Sequence, residues 1–182
     1  MFIENELVQE AKKLGCSEAV GLNFSLIEFS QEVRKYCAMN HCGQYNKNWA
    51  CPPAVGSMEE LKDRVLGFAD GILVQTMHYL KSSFDYRGMQ AGKEVHEKVM
   101  RNLLNTALER FPLEETLLLG AGHCDVCQEC AWVDGEPCRF PEKAMASLEA
   151  YGIDVMKLTR EHGIPYFYGK GTVAYVGLLL YR

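Results

Sequence analysis

Residues 117–141, LLLGAGHCDVCQECAWVDGEPCRFP, decide how this chain is read. Leu117 to Leu119 form the end of a short apolar strand, and Gly120 and Gly122 then let the backbone turn tightly. Cys124, Cys127, Cys130 and Cys138 follow. Two residues between successive thiols allow the first three to wrap around one polynuclear centre and reach different irons of a cubane, as in the opening of the bacterial ferredoxin run. Cys138 is the nearest candidate for the fourth thiolate, but its interval of seven residues departs from that run. There, three residues precede the last cysteine and proline follows it directly. Structural zinc also takes four thiolates, though more often from two separated C-x2-C knuckles. His123, beside the first cysteine, could serve as a ligand, but a lone histidine there is more often a hydrogen-bond donor to the site or a solvated loop residue.

A second group, Cys37, Cys42 and Cys51 with Pro52 and Pro53 behind it, lies upstream. Alone it is compatible with three unrelated loop thiols. Beside the 124–138 group it reads as three ligands of a second cluster, with one iron left open to water, substrate or His41. Exchange between the groups is the alternative, since in two-cluster ferredoxins the Cys-Pro thiolate serves the other cluster; Cys51 then completes the site of Cys124, Cys127 and Cys130. Cys16 is left out of both and reads as a buried small hydrophobe. Tyr45 and Trp49 are expected to cover a cluster, and Lys47 and Arg139 to offset thiolate charge.

The surrounding chain has ordinary globular composition. Of 182 residues, 48% are hydrophobic and 24% charged, enough for one domain, residues 1–182, with its own core. A net charge of −5 without a Lys/Arg block argues against nucleic acid as a partner. The first residues, MFIENELVQEAKKLG, mix acidic and apolar side chains, so neither a secretory signal nor a membrane anchor is expected and the location reads as cytoplasmic. In that reducing compartment, clustered thiols are metal ligands before they are disulfides.

Periodicity places a helix over 3–14 stopped by Gly15, a strand over 19–24, and a structureless Cys, Asn, Gly and Pro-rich loop over 36–55 whose order must come from bound metal. Ser57 and Glu60 form a capping box opening a helix to about Leu66. A buried strand over 71–79, a polar loop over 81–89, and a helix carrying Val95, Val99, Leu103 and Leu108 to Phe111 come next. Pro141 is expected to open a helix ending before Gly152, and a short helix covers 155–162. Strands over 165–168 and 172–181 then close as a hairpin through Gly169 and Gly171. The fold class is α/β or α+β: a mixed sheet, flanking helices, and cysteine-rich loops caging a metal centre. The apolar run Val173 to Tyr181 must be either central in its sheet or paired in a homodimer. Gly120-Ala121-Gly122 lacks the later spacing of a dinucleotide fingerprint. His78, His96 and His162 are read as structural.

The motif set Cys37…Cys42-Gly-x-Tyr…Trp49-x-Cys51-Pro-Pro, with Gly122-x-Cys124-x2-Cys127-x2-Cys130 and Cys138-Arg-x-Pro, resembles a prokaryotic family of unknown function described as predicted metal-binding proteins. The likeness extends through Glu149-x-Tyr151-Gly-Ile-Asp154-Val to the closing strands. The resemblance implies metal binding, iron–sulfur in kind, and no particular substrate. The expected function is therefore an iron–sulfur protein of oxidoreductase type, with one or two 4Fe-4S clusters passing single electrons to a redox partner protein. The alternatives are an enzyme with an open-iron, three-cysteine cluster acting on a small molecule, and a zinc-stabilised binding module.

Overall fold

The computed structural model describes residues 2–182. Five strands, β1 (Glu18–Gly21), β2 (Asp70–Tyr79), β3 (Thr116–Gly120), β4 (Ala146–Ser147) and β5 (Thr172–Tyr181), form one open sheet in the order β1-β2-β5-β3-β4. All pairs are antiparallel except β3 with β4. The helices are α1 (Phe2–Lys13), α2 (Gln31–Ala38), α3 (Met58–Leu66), α4 (Tyr86–Leu108) and α5 (Val155–Glu161). The mixed sheet with helices on both faces is an α+β fold, as the sequence predicts.

The apolar run in β5 is explained by its place. It lies between β2 and β3, with Leu178 opposite Leu73 on one side and Leu119 on the other. Alternate residues face opposite layers: Leu179 joins Ile72, Val74 and the α1 and α4 side chains Leu7, Met100 and Leu103, whereas Leu178 and Leu180 join Leu73 and the α3 and α5 side chains Leu61, Val65 and Leu158. A strand covered on both faces must be apolar throughout. This removes the need for a second copy of the chain to cover it.

Several local expectations hold. Ser57 and Glu60 make the full capping box of α3, and Cys16 is buried in the α1 layer, where burial pushes its thiol up to about 12. His162 is structural, accepting from the Asn23 N–H through Nε2 at 3.0 Å while Nδ1 bonds the Leu158 carbonyl at 2.8 Å.

Others fail for identifiable reasons. No strand forms at 165–168: β2 pairs along the whole of β5 and β3 takes the other edge only over residues 178–181, but the 165–168 segment does not fill the rest of that edge. That segment is instead tied to the buried Gln75 side chain, which donates to the Pro165 carbonyl at 2.9 Å and accepts from the Tyr168 hydroxyl at 2.5 Å. No helix opens at Pro141: Ala146–Ser147 adds to the free edge of β3, and a single 3-10 turn, Glu149–Tyr151, follows. The buried Met145, Leu148 and Tyr151 recur every three residues, a spacing that such a turn satisfies as well as a helix does. The loop expected over 36–55 begins too early, since α2 runs to Ala38 and carries Cys37. The helix expected after the 81–89 loop starts inside it, at Tyr86, where the Asp85 carboxylate caps the Gly88 N–H at 3.0 Å.

Because β2 and β3 both run antiparallel to β5, they run parallel to each other. The carboxyl end of β3, where the cysteine stretch begins, therefore lies at the same end of the sheet as the carboxyl end of β2 and the first turns of α4.

Candidate metal centre

The seven cysteines sort into two cavities. Cys124, Cys127, Cys130 and Cys138 line one of about 20 Å3, closed over by Trp49 and Phe140. Cys37, Cys42 and Cys51 line another of about 340 Å3, together with His41, His123 and Glu149. Tyr36 and Tyr45 contribute to the apolar wall of the second. The 124–130 loop also faces an open groove of about 360 Å3 on its outer side.

Consecutive residues divide between these spaces. Ala50 lines the smaller cavity and Cys51 the larger. Likewise Cys124 lines the smaller cavity and His123 the larger, and both line the outer groove. The two sites therefore share a wall. Burial pushes the Cys51 thiol up to about 12, with Cys42 and Cys37 the strongest charged neighbours and Cys124 and Cys130 weaker ones. Cys51 thus sits with the upstream thiols, and the exchanged pairing receives less support than the grouping by sequence.

The shared wall is stitched by Trp49, which the sequence singled out, and by Asn46, Asn48 and Trp132, which it did not. Asn48, only 4% exposed, donates through Nδ2 to the Cys124 carbonyl at 2.7 Å, while its Oδ1 accepts from the Ala50 N–H. The Trp49 N–H points at the Cys130 sulfur at 3.4 Å, and its indole donates to the Glu136 carbonyl at 2.9 Å. Trp132 reaches back to Asn46 at 3.1 Å, and the two indoles pack edge to face with centroids 4.6 Å apart. Asn48→Ala is expected to cost about 2 kcal/mol in urea unfolding, because a carbonyl and an N–H lose their buried partner together.

On the other side, Arg34 of α2 holds the upstream thiols in place, donating to the carbonyls of Ala150 and Gly56, the latter at 2.6 Å. Burial raises the Cys37 thiol, the Glu149 charge adds to this, and Arg34 opposes it. Burial also raises the Glu149 carboxyl, against the pull of its own N–H and the Ser147 hydroxyl. Arg139 is spent elsewhere, donating to the Glu129 carbonyl at 2.8 Å.

A buried ion triad supports the downstream loop from α4. Lys93 pairs with Glu97 one turn on and with Asp125 at 2.8 Å. Burial pulls the Lys93 ammonium down, but its two carboxylate partners outweigh this and raise it. Beyond the triad, His96 is fully buried with Nδ1 3.0 Å from the Thr76 hydroxyl, which also meets His78 at 2.9 Å. The clue to this network was available, since Lys93, His96, Glu97 and Met100 are at helical spacing on one face of α4. Burial, then the Lys93 charge, lower His123.

Donor chemistry fits a thiolate-bound cluster: thiols are soft donors, four of them line the smaller cavity and three line the larger. Among the described residues, no three His, Cys, Asp or Glu side chains are gathered tightly enough to hold one metal ion. Loading would therefore require the loops to close on the metal, as where binding and ordering are coupled.

Residues 20–181 match the family model described as predicted metal-binding protein, DUF2284, and the chain belongs to that family. Neither the curated proteins nor the solved structures contain a match to it. No helix among the described residues is long and apolar enough to cross a membrane.

Proposed function

We propose that this chain is an iron–sulfur protein with two neighbouring 4Fe-4S clusters that passes single electrons to a redox partner protein in the cytoplasm. One observation carries the reading: the cysteines separate into a set of four and a set of three on the two sides of one wall. Cys124, Cys127, Cys130 and Cys138 would hold one cluster, and Cys37, Cys42 and Cys51 the other. Such clusters supply reversible one-electron chemistry when bound. The chain's own part is to bring the centres close, exclude water with Trp49, Trp132 and Phe140, and aim the Trp49 N–H at a ligand sulfur, which tunes potential.

A second reading has its own observation. Three thiols beside a cavity of about 340 Å3 are what an enzyme with an open iron would need for a small-molecule substrate. Zinc remains the competing metal at the four-thiol cavity, whose present size is close to that of a single water.

Metal and acid-labile sulfide analysis of protein purified without oxygen tests the reading. About eight irons with matching sulfide and broad absorption near 400 nm are expected for two thiolate-bound cubanes. Zinc without sulfide overturns it. Cys127→Ala is expected to lose about four of those irons and to unfold at lower denaturant, because binding and folding are linked. Unchanged iron in that variant would remove Cys127 from the ligand set.

A further inference from the structure

A cubane has four irons, and the larger cavity brings only three thiols to it. The donor meeting the fourth iron separates a closed electron carrier from an open reaction centre. His41, Glu149 and His123 all line that cavity.

Glu149 is poorly suited. Its carboxyl is held by the Ser147 hydroxyl and by its own N–H, and it would bring a further negative charge to three thiolates. His41 lies in the exposed turn between Cys37 and Cys42, whereas the residues flanking His123 are held by side chains from elsewhere in the fold.

His123 is half-buried and held from both sides. Before it, Gly122 adopts the left-handed conformation, φ 76°, with the Lys93 Cε only 2.9 Å from where a Cβ would stand. After it, the Cys124 carbonyl is bound by Asn48 at 2.7 Å and Asp125 by Lys93 at 2.8 Å. These contacts fix the backbone on both sides of His123, which lines the cavity of Cys37, Cys42 and Cys51 and shares the outer groove with Cys124, itself a lining residue of the smaller cavity.

We propose that His123 is the fourth ligand of the cluster held by Cys37, Cys42 and Cys51. The assignment rests on the two-cluster reading and closes the site against substrate. Consecutive residues then ligate two clusters, and one peptide unit joins the centres. When bound, two such clusters would supply one-electron exchange that makes or breaks no bond. Imidazole replaces a negative ligand with a neutral one, so the centre at His123 has the higher potential and holds the electron.

Iron and sulfide are counted first on the full chain; fewer than eight irons fails the two-cluster reading, and the assignment falls with it. With eight irons present, pulsed EPR on reduced protein carrying nitrogen-15 histidine is expected to show one coupled histidine nitrogen in the native chain and in His41→Ala. The coupling disappears in His123→Ala. Where that variant fails to load, His123→Cys keeps eight irons through its thiolate, loses the coupling, and lowers the higher of the two potentials. With eight irons retained, absence of coupling in the native chain, its persistence in a His123 variant, or its loss in His41→Ala overturns the assignment.

Discussion

Lys93→Met is expected to destabilise the protein by about 3–5 kcal/mol at neutral pH, the cost of leaving a buried charge without its partner. The side chains of Lys93 and Glu97 are only 9% and 11% exposed, so solvent cannot replace the lost ammonium. Burial already raises the Glu97 carboxyl, and without Lys93 it rises further. Glu97 then takes up a proton to escape the penalty, and the deficit shrinks as pH is lowered from 8 toward 5. The double variant Lys93→Met with Glu97→Met should recover most of the loss, because an apolar pair of similar volume needs no compensation. Urea unfolding of the three proteins across that range checks the expectation. A pH-independent loss of under ~1 kcal/mol would mean that the triad does not act as a buried ionic unit.

The second large effect is a fall in stability with acid, centred on His96. Burial, then the neighbouring His78 charge, lower this imidazole from 6.5 to about 3, and the Val176 backbone offsets only part of that. Unfolded chains bind the proton below pH 6.5, whereas the folded chain holds the ring neutral until about pH 3. Stability therefore rises with pH inside that window and is lost on descending through it. The full window amounts to about 4 kcal/mol, of which about 2 falls between pH 6.5 and 5. His78, also lowered by burial, acts in the same direction and more weakly. His96→Gln keeps a polar contact to Thr76 but cannot titrate, so its stability should change less with pH over this range. Parallel slopes for both proteins would show that His96 is not the source.

These two groups show where reading the chain alone stops. Helical spacing put residues 93, 96, 97 and 100 on one face of α4, but a charged residue on an apolar face can reach solvent or be enclosed. Enclosure here depends on Asp125 and Thr76, which arrive from a loop and a strand far away in sequence. His96 was read as structural without sight of its Thr76 partner or its burial.

The fold class, the central apolar strand, the α3 capping box, the buried Cys16 and the family resemblance were all legible because each rests on local spacing or on a continuous pattern. Hydrophobic periodicity and caps act over one or two turns, and a thiol spacing of C-x2-C-x2-C is itself a local property. The residues that miss, 141–151 and 165–168, have patterns compatible with two conformations, and the choice lay with tertiary partners: β3 offered an edge to Ala146–Ser147, and the Gln75 side chain tied down Pro165 and Tyr168. Spacing likewise proposed two thiol groups but left their pairing open. In the tertiary structure one cavity is lined by Cys124, Cys127, Cys130 and Cys138 and another by Cys37, Cys42 and Cys51, and no rule of sequence spacing encodes which cavity a thiol lines once two distant loops are packed together through Asn48 and Trp49.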